Sequence, residues 1–331
     1  MKQILSTLFE HKKLSKQEAK EILVNISTGM YNESQIAAFI TVYLMRPISV
    51  EEIQGFREAL LELCVAIDLE GVEAIDVCGT GGDGKNTFNI STLSSFVVAG
   101  AGHKVAKHGN VGVSSNSGSS DVLDYLGYTF TNDADKLKMQ LDKAGICYFH
   151  APLFHPALKT VGPIRKQLGV KTFFNMLGPL VNPAQPKYQL TGVFNMELAR
   201  LYQYIFQGIP DKKFSIVYAL DGYDEVSLTS DFKLKMNNKE ETISPQSIGK
   251  QLLTQESLFG GDTVEEAGKI FTSILRGSGT SAQNDAVTVN SGVAIHTLKP
   301  TVSLVDCIAE AEESLKSGAA LKVFEKLISL N

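Results

Sequence analysis

The first 70 residues repeat one polar-to-apolar pattern three times. A residue able to cap a helix is followed three positions later by Glu or Gln: Ser15 with Glu18, Asn32 with Gln35, Ser49 with Glu52. Reciprocal side-chain bonds of this kind satisfy N–H groups that a helix leaves open at its start. Behind each pair, apolar residues recur at helical spacing: Ala19, Ile22, Leu23 and Ile26; Ile36, Phe39, Ile40 and Tyr43; Ile53, Phe56, Leu60 and Leu63. Each set falls on one face, so residues 1–70 are predicted to form a small helical domain.

The period changes near residue 74. A short apolar run at 74–78 closes on glycine and reads as a buried strand, with a helix over 89–98 behind it. Further strands are expected at 104–107, 146–150 and 214–219, helices at 121–126 and 133–144, and helix again over 302–330. Such alternation predicts an α/β fold: a small N-terminal helical domain and a larger α/β domain, 71–331, with a mainly parallel sheet.

The 331 residues suit about two domains, and 44% apolar content supplies their cores. No apolar run approaches the ~18 residues of a membrane span, and residues 1–20 lack a signal-peptide pattern, so a cytoplasmic protein is expected. Lys+Arg total 31 against 36 Asp+Glu, a net charge of −5, which argues against a broad basic surface for nucleic acid. Cys64, Cys78, Cys147 and Cys307 form no C-x-x-C pair and signal neither a zinc site nor a disulfide framework. One segment departs from the acidic average. Residues 84–120 contain no Asp or Glu but carry Lys85, His103, Lys104, Lys107 and His108, a balance that favours a polyanionic substrate.

The glycine loop Gly79-Thr80-Gly81-Gly82-Asp83-Gly84 stands before that segment. Gly79, Gly81 and Gly84 satisfy the dinucleotide-binding spacing, but the acid expected ~20 residues on is replaced by His103 and Lys104. Gly79, Gly84 and Lys85 nearly form a Walker A loop, with Asn86 where the magnesium-binding hydroxyl belongs and Asp221 as a candidate second acid. A third reading is a cradle of backbone N–H groups for pyrophosphate ahead of a helix N-terminus, in which Asp83 meets a bridging cation or a hydroxyl. A plain glycine-rich turn is the alternative to all three.

Taken in order, the glycine loop, Asn89-Ile90-Ser91-Thr92, Lys107-His108-Gly109-Asn110, Ser117-Gly118-Ser119, His155-Pro156-Ala157 with Arg165, Phe174-Asn175-Met176-Leu177-Gly178-Pro179-Leu180 with Asn182-Pro183, and Asp224-Glu225 resemble the anthranilate phosphoribosyltransferase family over nearly the full chain. The resemblance implies the nucleoside phosphorylase/phosphoribosyltransferase fold class, with helices from about 160–190 joining the N-terminal helical domain, and a homodimer. It implies transfer of the phosphoribosyl group of phosphoribosyl pyrophosphate (PRPP) to anthranilate in tryptophan biosynthesis, with two Mg²⁺ ions. PRPP would be held by Gly79, Gly82, Asp83, Thr87, Asn89, Ile90, Ser91, Thr92, Lys107, His108, Gly109, Asn110, Val111, Gly112, Val113, Ser114, Ser115 and Ser119, with Lys107 as a mobile point charge. Ser91, Asp224 and Glu225 would be metal ligands. Anthranilate would meet Gly79, Asn110 and Arg165, with His108 and His155 lining the path of its ring. Val111 and Gly112 depart from the pattern, since relatives commonly carry Arg and Ala there.

Displacement by a neutral aromatic amine needs alignment and stabilisation of the departing diphosphate, so no catalytic base is expected. Closure of the helical domain onto the α/β domain is expected to exclude water. A pyrimidine nucleoside phosphorylase and a non-catalytic nucleic-acid-binding relative share the architecture. Asp224-Glu225 and the phosphoribosyl-type loop speak against the first, and the net charge speaks against the second.

Overall fold

The computed structural model describes residues 1–112 and 116–331. The chain opens with α1 (Lys2–Phe9), α2 (Lys16–Ser27), α3 (Glu33–Met45) and α4 (Val50–Glu62). It continues through β1 (Ile75–Gly79), α5 (Ile90–Gly100), β2 (Val105–Gly109), α6 (Ser119–Tyr125), α7 (Ala134–Ala144) and β3 (Ile146–His150). Two short helices, α8 (Ala151–Phe154) and α9 (Leu158–Leu168), precede β4 (Tyr188–Gly192), α10 (Met196–Gln207) and β5 (Lys213–Ala219). Last come β6 (Phe232–Met236), β7 (Glu240–Ile243), α11 (Val264–Leu275), α12 (Ser281–Leu298), α13 (Leu304–Lys316) and α14 (Ala319–Ser329). Among the described residues no helix is long and apolar enough to cross a membrane.

One compact unit comprises Met1–Ile67 and Ala151–Pro183. All three predicted capping boxes form, at Ser15, Asn32 and Ser49, and the predicted stripes are buried except for Leu63, which lies past the end of α4. The later segment adds aromatic mass to this core. Phe173 stacks on Phe56 at 4.7 Å and meets Tyr43 edge-on at 4.9 Å, while Phe39 contacts all three rings.

Glu52 is the polar knot of the unit. Its carboxylate accepts the N–H groups of Leu14 at 3.0 Å and Ser49 at 2.9 Å, the Tyr43 hydroxyl at 3.3 Å, and two guanidinium donors of Arg46. Burial alone would push Glu52 up; the Arg46 guanidinium and the two backbone donors outweigh it and hold the carboxyl below its usual range.

The second unit comprises Asp68–His150 and Ala184–Asn331. Its sheet runs in the order β3-β2-β1-β4-β5-β6-β7, with β3 to β5 parallel and β6 and β7 antiparallel at one edge. The strand order reverses between β1 and β4, the place where open α/β sheets leave a crevice beyond their strand ends. On one side of the sheet α5 and α12 supply much of the core. From Ala286 to Thr297 every residue of α12 is buried, so its polar residues are bonded inward: Ser291 and Thr297 hydroxyls donate to carbonyls one turn back.

The sequence pattern predicts neither β4, β6 nor β7. In β4 the buried residues include Gln189 and Thr191, which disguise the strand as a loop, and β7 is a four-residue edge. The helix expected over 302–330 breaks into α13 and α14 at Gly318, whose φ of 74° ends a helix without a Cβ penalty.

Glu52→Ala is expected to destabilise the protein by about 3–5 kcal/mol, because it strands the Arg46 charge, whose side chain is 8% exposed. Since the folded carboxyl titrates below the unfolded one, the contribution of Glu52 is present above about pH 4.5 and lost as pH falls through the folded value. Urea unfolding of both proteins at neutral and acidic pH checks this: the gap between them should narrow in acid, and a constant gap would refute it.

Candidate active site

Gly79 and Gly192 end β1 and β4 and face each other in the parallel register. Both must be glycine because another segment lies across them. A methyl group on Gly79 would fall 2.5 Å from Asp224 Oδ2, and one on Gly192 would fall 1.6 Å from the Asp224 carbonyl oxygen. The turn after β5 thus carries Asp224 and Glu225 over the strand ends at the reversal point. Two bonds lock it from below: the Asn290 amide of α12 donates to Val226 O at 2.9 Å and accepts from Val226 N–H at 2.9 Å.

The glycine loop wraps this acidic turn. Gly81, Gly82 and Gly84 have φ of 63°, 84° and 74°, values open to glycine at little strain. Gly81 N–H donates to Asp224 Oδ2 at 2.6 Å, and Lys85 N–H to Asp83 Oδ1 at 3.0 Å. Asn86, at the Walker hydroxyl position, takes a left-handed φ of 46° and ties the loop to Gly261 O through its amide. Asp221 accepts hydroxyls from Thr229 and Ser230 and serves a turn. A P-loop nucleotide site loses both of its distinguishing residues.

Asn89 precedes α5 without capping it through its side chain, and its amide reaches Ser117 O at 3.3 Å instead. The opening N–H groups of α5 therefore face outward from the helix with their partial positive charge, and that of Ser91 meets Glu225 Oε1 at 3.2 Å. Thr87 bridges to Phe259, while Ile90 and Thr92 are buried and shape the turn from within.

The acids repel one another. Burial first, then the charges of Asp83 and Glu225, push the Asp224 carboxyl far above the usual range. Burial pushes Glu225 up to about 7, with Lys107 opposing the rise and Asp83 adding to it. Asp83 Oδ2 is buried and meets no N–H or hydroxyl donor among the described residues, and a hydrogen bond shared between the Asp83 and Asp224 carboxyls favours the protonated form of Asp224. A cation fits such a place. Among the described residues no three His, Cys, Asp or Glu side chains close into a metal cage, so an ion here would complete its shell with water and substrate oxygens, as Mg²⁺ characteristically does.

The five basic residues of 84–120 do not converge. His103 pairs with Glu310, and Lys104 caps the carbonyls of Leu141 and Asp142, both at the far end of β2 from the glycine loop. Lys85 lies over the Tyr223 ring at 4.6 Å. Lys107 is 2% exposed, and its ammonium donates to Val77 O at 2.6 Å. The mobile point charge expected of Lys107 is corrected to a fixed one inside the sheet, because β2 is covered on both faces and its residues from Val105 to His108 are all buried.

After β2, Asn110 is exposed and accepts its neighbour Val111 N–H on its own Oδ1 at 2.8 Å. Val113, Ser114 and Ser115 lie outside the described residues. Asp121 was not foreseen. Its Oδ2 accepts both Gly112 N–H and Gly118 N–H at 2.7 Å, clamping the two sides of the loop. The signal was available as the first acid after a long acid-free run.

Gly79 and Asn110 belong to the α/β unit, whereas Arg165 and His155 belong to the helical unit. His108 and His155 are both buried, and His108 N–H donates to Asp76 Oδ1 at 3.1 Å. Arg165 lies on α9, where Asn175 Oδ1 accepts from its Nη2 at 3.2 Å and the Phe174 ring lies 5.3 Å from its guanidinium carbon. No acid pairs with it among the described residues, so this partly buried guanidinium keeps donors for a carboxylate.

Comparisons with known proteins bear on the whole chain. The helical bundle domain of the Glycosyl transferase family matches residues 2–64, and its a/b domain matches residues 71–321. The anthranilate phosphoribosyltransferase of Christiangramia forsetii is 56% identical over all of this chain and 99% of its own, and that of Phocaeicola vulgatus is 52% identical over the whole of both. Among solved structures, the anthranilate phosphoribosyltransferase of Thermus thermophilus superposes with a TM-score of 0.88 at 30% identity, covering 98% of each chain. The Saccharomyces cerevisiae enzyme in complex with PRPP and Mg gives 0.90 at 26% identity, covering 98% of this chain and 96% of that one. Identities of 56% and 52% over the full length of two relatives, together with both domain matches, lead to one conclusion: the chain belongs to the anthranilate phosphoribosyltransferase family.

Proposed function

We propose that the protein is a Mg²⁺-dependent enzyme that transfers the phosphoribosyl group of PRPP to anthranilate, giving N-(5-phosphoribosyl)anthranilate and pyrophosphate in tryptophan biosynthesis. The observation that carries the metal-dependent reading is the Asp224-Glu225 turn, buried against the glycine ends of β1 and β4 with both carboxyls held above their usual range.

In this reading the bond from the ribose anomeric carbon to pyrophosphate breaks and its electron pair leaves with the pyrophosphate, the anthranilate nitrogen bonds that carbon, and the amine then loses a proton to water or to the released pyrophosphate. Gly79, Gly82, Asp83, Thr87 and the segment Asn89-Ile90-Ser91-Thr92 hold the ribose and pyrophosphate. The opening N–H groups of α5 supply positive potential without carrying a net charge. The second loop, Lys107 to Ser115 with Ser119, takes the phosphate side, Lys107 acting through its field from inside the sheet. Ser91 and the pair Asp224-Glu225 would hold two Mg²⁺ ions, which when bound neutralise the charge growing on the departing pyrophosphate. Arg165 takes the anthranilate carboxylate as a bidentate fork, with Gly79 and Asn110 as further contacts. The aromatic amine is neutral at pH 7, so alignment and charge stabilisation suffice without a catalytic base. A cytoplasmic homodimer without nucleic-acid or membrane partners completes the proposal; family resemblance supports the dimer and the net charge of −5 supports the exclusion of nucleic acid.

The direct test mixes purified protein with anthranilate, PRPP and Mg²⁺ and follows the loss of anthranilate fluorescence. Loss that needs both substrates and stops with EDTA is expected; a folded protein giving none would overturn the reading. Replacing Asp224 and Glu225 together by alanine should abolish Mg²⁺-dependent turnover, and retained turnover would remove their role. Arg165→Ala should raise the KM for anthranilate about 10- to 100-fold, the value of charge-assisted hydrogen bonds, with little change in the KM for PRPP. An equal rise in both constants would count against a carboxylate fork.

A further inference from the structure

Behind the second loop, Ser119 opens a row of hydrogen-bonding groups whose other members, Tyr148, Ser120 and His150, have no assigned part in the reaction. Ser119 Oγ lies 2.7 Å from Tyr148 Oη, Tyr148 Oη lies 2.9 Å from Ser120 Oγ, and Ser120 Oγ lies 2.8 Å from His150 Nδ1. Tyr148 is fully buried on β3 and His150 closes that strand, its ring stacked on Phe130 at 4.4 Å. The row needs room. A methyl group on Gly109 would fall 2.1 Å from Tyr148 Oη and 2.4 Å from Ser119 Oγ, so the last residue of β2 is glycine where the hydroxyls meet.

Each hydroxyl owns one proton, so the row can be ordered in two directions. In one, Ser119 donates to Tyr148, Tyr148 to Ser120 and Ser120 to His150 Nδ1, and Ser119 has no proton left for anything outside. In the other, His150 Nδ1–H donates to Ser120, Ser120 to Tyr148 and Tyr148 to Ser119. The Ser119 proton is then free to leave its long contact with Asn110 O, at 3.3 Å, and turn outward. An anion in front of Ser119 selects the second direction, and bonds that point the same way strengthen one another. The phenol is the strongest donor of the three hydroxyls and sits in the middle.

We propose that Tyr148, backed by Ser120 and His150, is a positioning residue that orients the Ser119 hydroxyl as a donor to the phosphate-bearing substrate. The inference rests on the placement of Ser119 at the PRPP site in the reading above. Tyr148 touches no substrate, and its effect reaches PRPP through Ser119 alone.

Steady-state kinetics of Tyr148→Phe, Ser119→Ala and the double variant test this. The phenylalanine keeps the ring that packs against Tyr128 and Phe130 and removes only the hydroxyl. Tyr148→Phe should raise the KM for PRPP about tenfold, one hydrogen bond's worth, with kcat and the KM for anthranilate within about twofold. In the Ser119→Ala background the same change should add nothing. An unchanged KM for PRPP in Tyr148→Phe, or the full tenfold loss repeated in the Ser119→Ala background, overturns the relay while leaving the PRPP site intact if Ser119→Ala alone raises that KM. If Ser119→Ala leaves the KM for PRPP unchanged, the placement of Ser119 fails and the relay fails with it. Should Tyr148→Phe not fold, Ser120→Ala interrupts the same row one link further back and is read by the same criteria.

Discussion

The close approach of Asp224 to the ends of β1 and β4 is the constraint on which the rest of the α/β unit's site depends. Two strand-end glycines lie so near this segment that any Cβ would collide with it, at 2.5 Å and 1.6 Å. The crossing is possible only where neighbouring parallel strands finish in register, and only where the strand order reverses does a crevice open beside it. The glycine loop, the start of α5 and the acidic turn then share one small volume, with Asn290 of the buried helix α12 fixing the turn through Val226. Fold and site are joined by backbone contacts.

That volume is electrostatically incomplete. Burying Asp224 and Glu225 beside Asp83 raises the free energy of their charged forms, and the ammonium of Lys107 offsets this only at Glu225 and only in part. The backbone donors of Gly81 and Ser91 hold the carboxylates in place without neutralising them. The α/β unit thus keeps an unmet demand for positive charge near N–H groups suited to an anion. In the proposed reaction a cation and a polyphosphate arriving together would satisfy both.

Much of this was legible in sequence where the signal is local. The capping boxes at Ser15, Asn32 and Ser49 announce their helices because donor and acceptor stand three residues apart. The glycine loop and the segment from Asn89 read as a strand-to-helix turn for the same reason. What escaped is carried through space. Gly192, Asn290 and Gly261 act on residues far along the chain, and nothing beside them in sequence reports it. The even burial of α12 erased the stripe by which a helix is recognised, and the buried glutamine and threonine of β4 hid a central strand. Charge counting misled most. A segment rich in Lys and His looked like one positive patch, yet β2 is covered on both faces and holds Lys107 inside, and His103 and Lys104 are spent on Glu310 and on the last carbonyls of α7.

The Asp121 clamp bears on how this chain can differ from its relatives. Gly112 enters the clamp through its main-chain N–H, and Val111 is 45% exposed, so neither identity is read by the carboxylate. Gly118 enters the same way, yet a side chain there would fall 2.2 Å from Gly112 N. The clamp is therefore indifferent to the exposed side chain at position 111 and strict at position 118. Residue 111 can drift under other pressures while the loop keeps its anchorage, whereas position 118 is closed to change.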